Sequence, residues 1–341
     1  MVKLTNMNNI VLIGAGKLGS RHLQALAKLN ILASIYVIDL NSEALDVAKG
    51  RYQEIPDNPN ITEIHFLNSI KAIGSLYIDV AIIATTSEFR RQVIEELVEF
   101  SEVRYLILEK ILFQKLEDYQ FVEDLLFKKG IKTWVNFPRR KWDVYQELKE
   151  SLKDSIISEV SVIGQNWSLA TSSLHFIDLI TFLTGNKKYS ILNLDFNNEV
   201  YAAYSSVTGS RESKYLEFYG SMKGKFKDST YFNFTCLKKS DSPFLINIVT
   251  DKNIIQIYEE MGTIYIGGLG VEKKWNIISK SFSLPYQSEL TNKIVEELII
   301  DGETMLTGYK ESAELHLPLL NSFLQFIGTV KNENIVACPI T

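Results

Sequence analysis

The six residues Gly14-Ala15-Gly16-Lys17-Leu18-Gly19 stand between a short apolar run, Asn9 to Ile13, and a helical pattern from Ser20 to Leu29. A strand, a glycine turn and a helix in that order can hold a pyrophosphate. Gly14 permits the tight turn, Gly16 lets the backbone approach the phosphates, and Gly19 lets the helix pack close to the strand. The helix start offers unpaired N–H groups and the positive end of its dipole. A second apolar run, Ala33 to Ile38, ends at Asp39, twenty positions after Gly19. A carboxylate at that strand tip accepts hydrogen bonds from both adenosine ribose hydroxyls and repels a phosphate placed there, so NAD is favoured over NADP. Asp39 has a competing use as the cap of the next helix, for which Asn41 and Ser42 are also suited.

Three later features could take part in chemistry. Thr85-Thr86-Ser87 follows the apolar run Val80 to Ala84; its hydroxyls and backbone could line the cofactor, cap the following helix, or do both. Glu109-Lys110 follows Tyr105 to Leu108. A partly desolvated lysine there can exchange a proton beside a carbon that gains or loses hydride; the competing reading is a solvated lysine paired with Glu109. Thr171, His175 and Asp178 share one helix face, because residues three and four apart are neighbours. Asp178 could fix the tautomer of His175, whereas a lone helical histidine is also an ordinary structural residue. Arg139, Arg140 and Trp167 are candidate substrate contacts, since arginine suits a phosphate or carboxylate.

The elements that must position these residues alternate strand and helix. Helical patterns cover Ala44 to Tyr52, Phe89 to Phe100 and Leu116 to Lys128, and a last strand covers Thr133 to Asn136. This alternation predicts a doubly wound parallel sheet. Ligands gather at the carboxyl ends of such strands, which puts Gly14, Asp39, Thr85, Lys110 and Asn136 along one edge. From about Asp143 the texture changes. A helix over Tyr145 to Leu152 precedes a strand, Ile156 to Gly164, and another helix ends at Gly185. Strand-like stretches then cover Ser190 to Phe196, Val200 to Ser206, Leu216 to Tyr219, Phe232 to Leu237, Ile246 to Val249, Ile254 to Glu259 and Thr263 to Ile266. Turns at Gly220, Gly224, Asp241-Ser242 and Gly262 suit antiparallel meanders. Helices return at Tyr286 to Ile300 and Met305 to Phe326, broken by Gly302 and Pro318. Two domains follow, 1–137 for a dinucleotide and 138–341 for the substrate, with the last helices expected to pack back on the first.

Composition narrows the partners. At 341 residues the chain has material for two cores, with 46% hydrophobic and 23% charged residues. A net charge of −5 argues against general nucleic-acid binding, which needs a basic face. No apolar run is long enough for a membrane span, and residues 1–10 do not read as a signal peptide. Two cysteines, Cys236 and Cys338, make neither a disulfide framework nor a metal site. A cytoplasmic protein acting on a small molecule, without a metal, is expected.

The ordered set resembles the Gfo/Idh/MocA family, the sugar and cyclitol dehydrogenases related to glucose–fructose oxidoreductase. The resemblance lies in Gly14 to His22, Asp39, Glu109-Lys110, Asn136-Phe137-Pro138-Arg139-Arg140, His175-Phe-Ile-Asp178 with Leu183-Thr184-Gly185, Leu306 to Leu320 and Cys338-Pro339-Ile340-Thr341. It implies a Rossmann domain followed by an α/β domain with a large, open, mostly antiparallel sheet, through which members often associate as homo-oligomers. It implies that Lys110, matching the lysine of a Glu-Lys-Pro motif, contacts substrate and nicotinamide ribose, and that His175 assists proton transfer. The cofactor set is then Gly14, Ala15, Gly16, Lys17, Leu18, Gly19, Asp39, Thr85, Thr86, Glu109 and Lys110. The substrate set is Asn136, Arg139, Arg140, Trp167, Thr171 and His175. The sequence departs from the pattern at Ile111, where proline is usual, and at Thr171, where many members carry a catalytic aspartate. The expected activity is reversible hydride transfer at a hydroxyl or keto carbon of a sugar, nucleotide-sugar or polyol. A catalytically silent NAD-binding sensor and an NAD-dependent lyase or hydrolase with transient oxidation are the alternatives.

Overall fold

A computed structural model describes residues 7–197, 201–202, 215–238, 242–270 and 274–341. The chain divides into two compact units. The first comprises 1–113, 117–138 and 285–310, and the second 114–116, 139–284 and 311–341.

In the first unit strand and helix alternate as the sequence suggests: β1 (Asn8–Ile13), α1 (Lys17–Leu26), β2 (Ala33–Ile38), α2 (Ser42–Gln53), β3 (Ile61–Leu67), β4 (Tyr77–Ile83), α3 (Arg90–Phe100), β5 (Glu102–Leu108), α4 (Leu116–Lys129) and β6 (Lys132–Val135). The six strands are parallel, in the order β3-β2-β1-β4-β5-β6. Ile10 to Ile13 and Val80 to Ile83 are buried throughout, as expected of strands covered on both faces. The order reverses between β1 and β4, which opens a crevice at their carboxyl ends. Sequence reading passed over β3, whose central residues Thr62 and Glu63 are exposed and dilute the apolar signal.

The second unit holds α5 (Asp143–Ser151), β7 (Ile157–Gln165), α6 (Leu169–Thr184), β8 (Tyr189–Phe196), β9 (Tyr201–Ala202), β10 (Leu216–Glu217), β11 (Gly220–Phe226), β12 (Tyr231–Leu237), β13 (Leu245–Thr250), β14 (Asn253–Tyr258), β15 (Thr263–Leu269) and β16 (Trp275–Ser281). Eight of these strands form one sheet, β16-β15-β14-β13-β7-β12-β11-β8. It is antiparallel except where β7 and β12 run parallel. The fold class is therefore the one expected. Val160, Val162, Phe232, Phe234, Ile246 and Ile248 are buried on one face, alternating with less buried residues on the other. Trp167 and Phe176 extend this core, their rings 5.4 Å apart and edge to face.

Two local expectations need correcting, at Gly220 with Gly224 and at Pro318. Gly220 and Gly224 lie within β11. At Gly224 the Phe232 ring occupies the space of a side chain, since a Cβ would come 2.1 Å from its Cζ. Of the strand expected over Val200 to Ser206, Tyr201–Ala202 is strand; Val200, residues 203–206 and Asp241 lie outside the described residues. The chain closes with α7 (Gln287–Asp301), β17 (Thr307–Gly308), which pairs antiparallel with β6, and α8 (Tyr309–Lys331). Gly302, at φ +74°, ends α7, but Pro318 lies inside α8 without ending it. Among the described residues no helix is long and apolar enough to cross a membrane.

Candidate cofactor and proton-transfer site

The glycine turn follows β1 at the crevice of the first unit. Gly14 takes φ +97°, and a Cβ there would stand 2.8 Å from the Ala84 carbonyl carbon; only glycine suits both demands. Gly16, by contrast, is exposed, and a Cβ built on it meets nothing within 4 Å. The N-terminus of α1 behind it has no side-chain cap and no acidic residue in its first turn. Lys17 and Leu18 flank it half-buried. Asp39 closes the other side: Oδ2 accepts from the Ala15 N–H at 2.7 Å and Oδ1 from the Asn41 N–H at 2.9 Å. Asn41, rather than Asp39, caps α2, accepting from Glu43 and Ala44. The Asp39 carboxylate is thus fixed against the glycine turn, with lone pairs left for further donors.

The neighbouring strand ends carry the polar groups. The Thr85 hydroxyl oxygen is buried with no hydrogen-bond partner. The N-cap of α3 is Phe89, whose side chain makes no capping bond. Uncapped N–H groups, open space at Gly16 and an orphaned Thr85 hydroxyl together fit a dinucleotide, which the turn residues 14–19, Asp39 and Thr85 would hold. Arg90 is buried and donates to the carbonyls of Thr85, Ile111 and Leu112. It ties the loop after β4 to the turn after β5. Lys110 is half-buried in that turn, Ile111 is buried, and the peptide between them is cis.

Glu109, expected among the cofactor contacts, is buried, only 5% exposed. Its Oε1 lies 3.0 Å from His22 Nε2 and accepts from Asn136 Nδ2 at 2.6 Å. Burial works against the charged carboxylate, but the His22 bond and charge, then Asn136 and the charge of Lys110, outweigh it and hold Glu109 below the usual carboxylate range. Asn136 Nδ2 also donates to Gln287 Oε1 at 2.9 Å, and Gln287 Nε2 donates to Thr291 Oγ1, which lies 2.8 Å from His22 Nδ1. Asn136, expected among substrate contacts, is itself buried, and its Oδ1 has no partner.

In the second unit Thr171 and His175 are both half-buried on α6, whose other residues from Ser173 to Leu183 are buried. The three remaining substrate candidates make structural bonds within the second unit. Arg139 is bidentate to Glu259 at 2.7 and 2.6 Å, and Tyr145 donates to the same carboxylate. Arg140 is bidentate to Asp178 at 2.9 and 2.7 Å and reaches Glu311 at 2.7 Å. Asp178, offered by spacing as the orienting group for His175, thus turns both oxygens to Arg140. Trp167 is core, its Nε1–H donating to the Thr235 carbonyl at 2.9 Å. Adjacent arginines look like an anion site in a sequence; their carboxylate partners, 120 and 38 positions away, are invisible there.

Residues 8–137 match the model of a family described as an oxidoreductase family with an NAD-binding Rossmann fold. That family is Gfo/Idh/MocA. No curated protein matches the chain, but solved structures of similar fold cover nearly all of it. Scyllo-inositol dehydrogenase from Lactobacillus casei, with bound NAD(H) and scyllo-inositol, aligns with a TM-score of 0.62 at 17% identity, covering 96% of this chain and 98% of its own. UDP-N-acetylglucosamine 3-dehydrogenase GnnA from Acidithiobacillus ferrooxidans gives 0.68 at 13%, covering 93% and 96%. A super-repressor mutant of Gal80p from Saccharomyces cerevisiae gives 0.69 at 15%, covering 94% and 95%. These likenesses establish the two-sheet fold beyond the Gfo/Idh/MocA segment. Sequence reasoning missed Arg90, Gln287 and Thr291. Arg90 reads as one more polar residue of a helix, and α7 returns to the first unit only after residues 139–284 of the second.

Proposed function

We propose that the chain is an NAD(H)-dependent oxidoreductase acting on a hydroxyl or keto carbon of a sugar, a nucleotide-linked sugar or a polyol in the cytoplasm. The observation that carries this reading is Lys110, half-buried after β5, with the Thr85 end of β4 on one side and the Asn136 end of β6 on the other. Residues 1–137 would bind the dinucleotide and 138–341 the substrate. Bound NAD(H) would take or supply the hydride. The chain's own part is the proton: Lys110 Nζ bonds the reacting oxygen, takes its proton as an alcohol is oxidised and returns it as a ketone is reduced. His175 assists that exchange, and Thr171 and Asn136 are offered as substrate contacts. Asp39, fixed against the glycine turn, would accept the ribose hydroxyls and disfavour NADP.

Turnover of a panel of keto-sugars with NADH tests the reading. Lys110→Met should lower kcat/KM by about 100-fold or more while NADH still binds. Unchanged turnover would remove Lys110 from the mechanism.

Thr171 favours a second reading, since no carboxylate stands one turn before His175 on α6. A catalytically silent NAD-binding regulator would bind NADH and oxidise none of it on any member of the panel. The open face of the second sheet, where Tyr231, Ile254 and Ile277 are exposed, is read as the surface joining copies of the chain. Sedimentation should then find a homo-oligomer, which Ile277→Lys would dissociate.

A further inference from the structure

We propose that Glu109 is a positioning residue for the proton step: fixed beside Lys110 by His22 and Asn136, its carboxylate holds the lysine as an ammonium and sets the pH range over which it exchanges its proton. The inference rests on the reading of Lys110 as the proton-exchanging group.

A carboxylate as buried as Glu109 is costly unless it is paired and hydrogen-bonded. Here it belongs to a closed ring of five side chains. His22 bonds Thr291 and Glu109; Glu109 bonds Asn136; Asn136 bonds Gln287; Gln287 bonds Thr291. The ring draws on α1, the ends of β5 and β6, and α7. An ionised carboxylate only accepts, so the Asn136 amide must turn its NH2 to Glu109. A side chain held in this way cannot swing aside when its neighbour changes charge.

The chain places Lys110 next to that anion. Lys110 is among the charges that favour ionised Glu109, and the coupling is reciprocal: the anion favours the charged lysine. Two further titratable or charged groups lie around this turn: His22 from α1 bonds Glu109, and the Arg90 guanidinium from α3 sits on the Ile111 and Leu112 carbonyls. Asn136, Gln287 and Thr291 are neutral. The ring therefore does more than fill space: it keeps a negative charge at a fixed position beside a group whose charge must alternate.

The test is the titration of Lys110 in the full chain, followed by NMR of 13C-labelled lysine ε-carbons, with the Lys110 signal identified by its loss in Lys110→Met. Glu109→Gln removes the charge at nearly constant shape and should move the Lys110 midpoint down by about one pH unit. An unchanged or raised midpoint in folded Glu109→Gln, checked by circular dichroism, overturns the proposal. Should that variant not fold, Glu109→Asp keeps the charge but withdraws it by one methylene. A smaller downward shift supports the proposal and no shift overturns it. The titration needs no substrate, so it is separable from the catalytic reading. Undiminished turnover in Lys110→Met would sink that reading whatever the midpoint does.

Discussion

Gly14 and Gly19 meet across the first turn of α1: a Cβ on Gly19 would stand 1.7 Å from the Gly14 carbonyl oxygen. The opposing atom is backbone, so nothing flexible can move aside. Gly19→Ala should therefore cost about 1–3 kcal/mol of stability by overpacking and weaken NADH binding by displacing the turn. Urea denaturation and fluorescence titration would check both. Gly16→Ala is the control, because its Cβ meets nothing within 4 Å and should leave stability nearly unchanged. Equal effects from the two substitutions would show that close packing is not the reason for glycine at 19.

The Asp39 carboxylate is anchored by the Ala15 and Asn41 N–H groups, so its charge is held where a ribose phosphate would approach. Asp39→Ser keeps a small polar group and removes the charge. The ratio of NADPH to NADH affinity should rise about tenfold or more, since roughly 1.4 kcal/mol of repulsion corresponds to that factor. An unaltered ratio would return Asp39 to a purely structural role in the turn.

Arg139 and Glu259 form a buried, bidentate pair, with Tyr145 also donating to the carboxylate. Glu259→Ala leaves the guanidinium and the phenol without their acceptor. The expected loss is about 3–5 kcal/mol, read as a lower urea midpoint. Replacing Arg139 and Glu259 together by methionine should be far less harmful than Glu259→Ala alone. A double variant as damaged as the single one would contradict the idea that the unpaired charge is the penalty.

What could be read from the sequence depended on how local the physics was. Gly14 to Gly19, Asp39 and the strand ends at Thr85 and Lys110 were legible because each follows an apolar run at short range. The parallel sheet followed from strand–helix alternation. The bonds of Arg139 and Trp167 are illegible for the converse reason: they depend on Glu259 and on the Thr235 carbonyl, partners that only folding brings near. The bonds of Glu109 are hidden in the same way. In the sequence it stands only beside Lys110, while its bonds run to His22 and Asn136. Pro318 inside α8 shows a different limit, since tertiary packing keeps a helix that local propensity would end.

Glu109 also predicts how stability responds to acid. Its carboxyl is held below the usual range in the folded protein, against the desolvation that burial imposes. A depressed folded value means that its contribution is fully present above the unfolded carboxylate range, about 4.3, and is lost as pH falls through the lower folded value. Urea midpoints measured from pH 7 down to pH 3 should show the difference between the parent and Glu109→Gln constant near neutrality. It should shrink below about pH 4.3, where the parent begins to take up the proton that the amide already replaces. A difference that does not change with pH would mean that the cost of the substitution is one of packing. His22 and Asn136 would then be holding a shape rather than a charge.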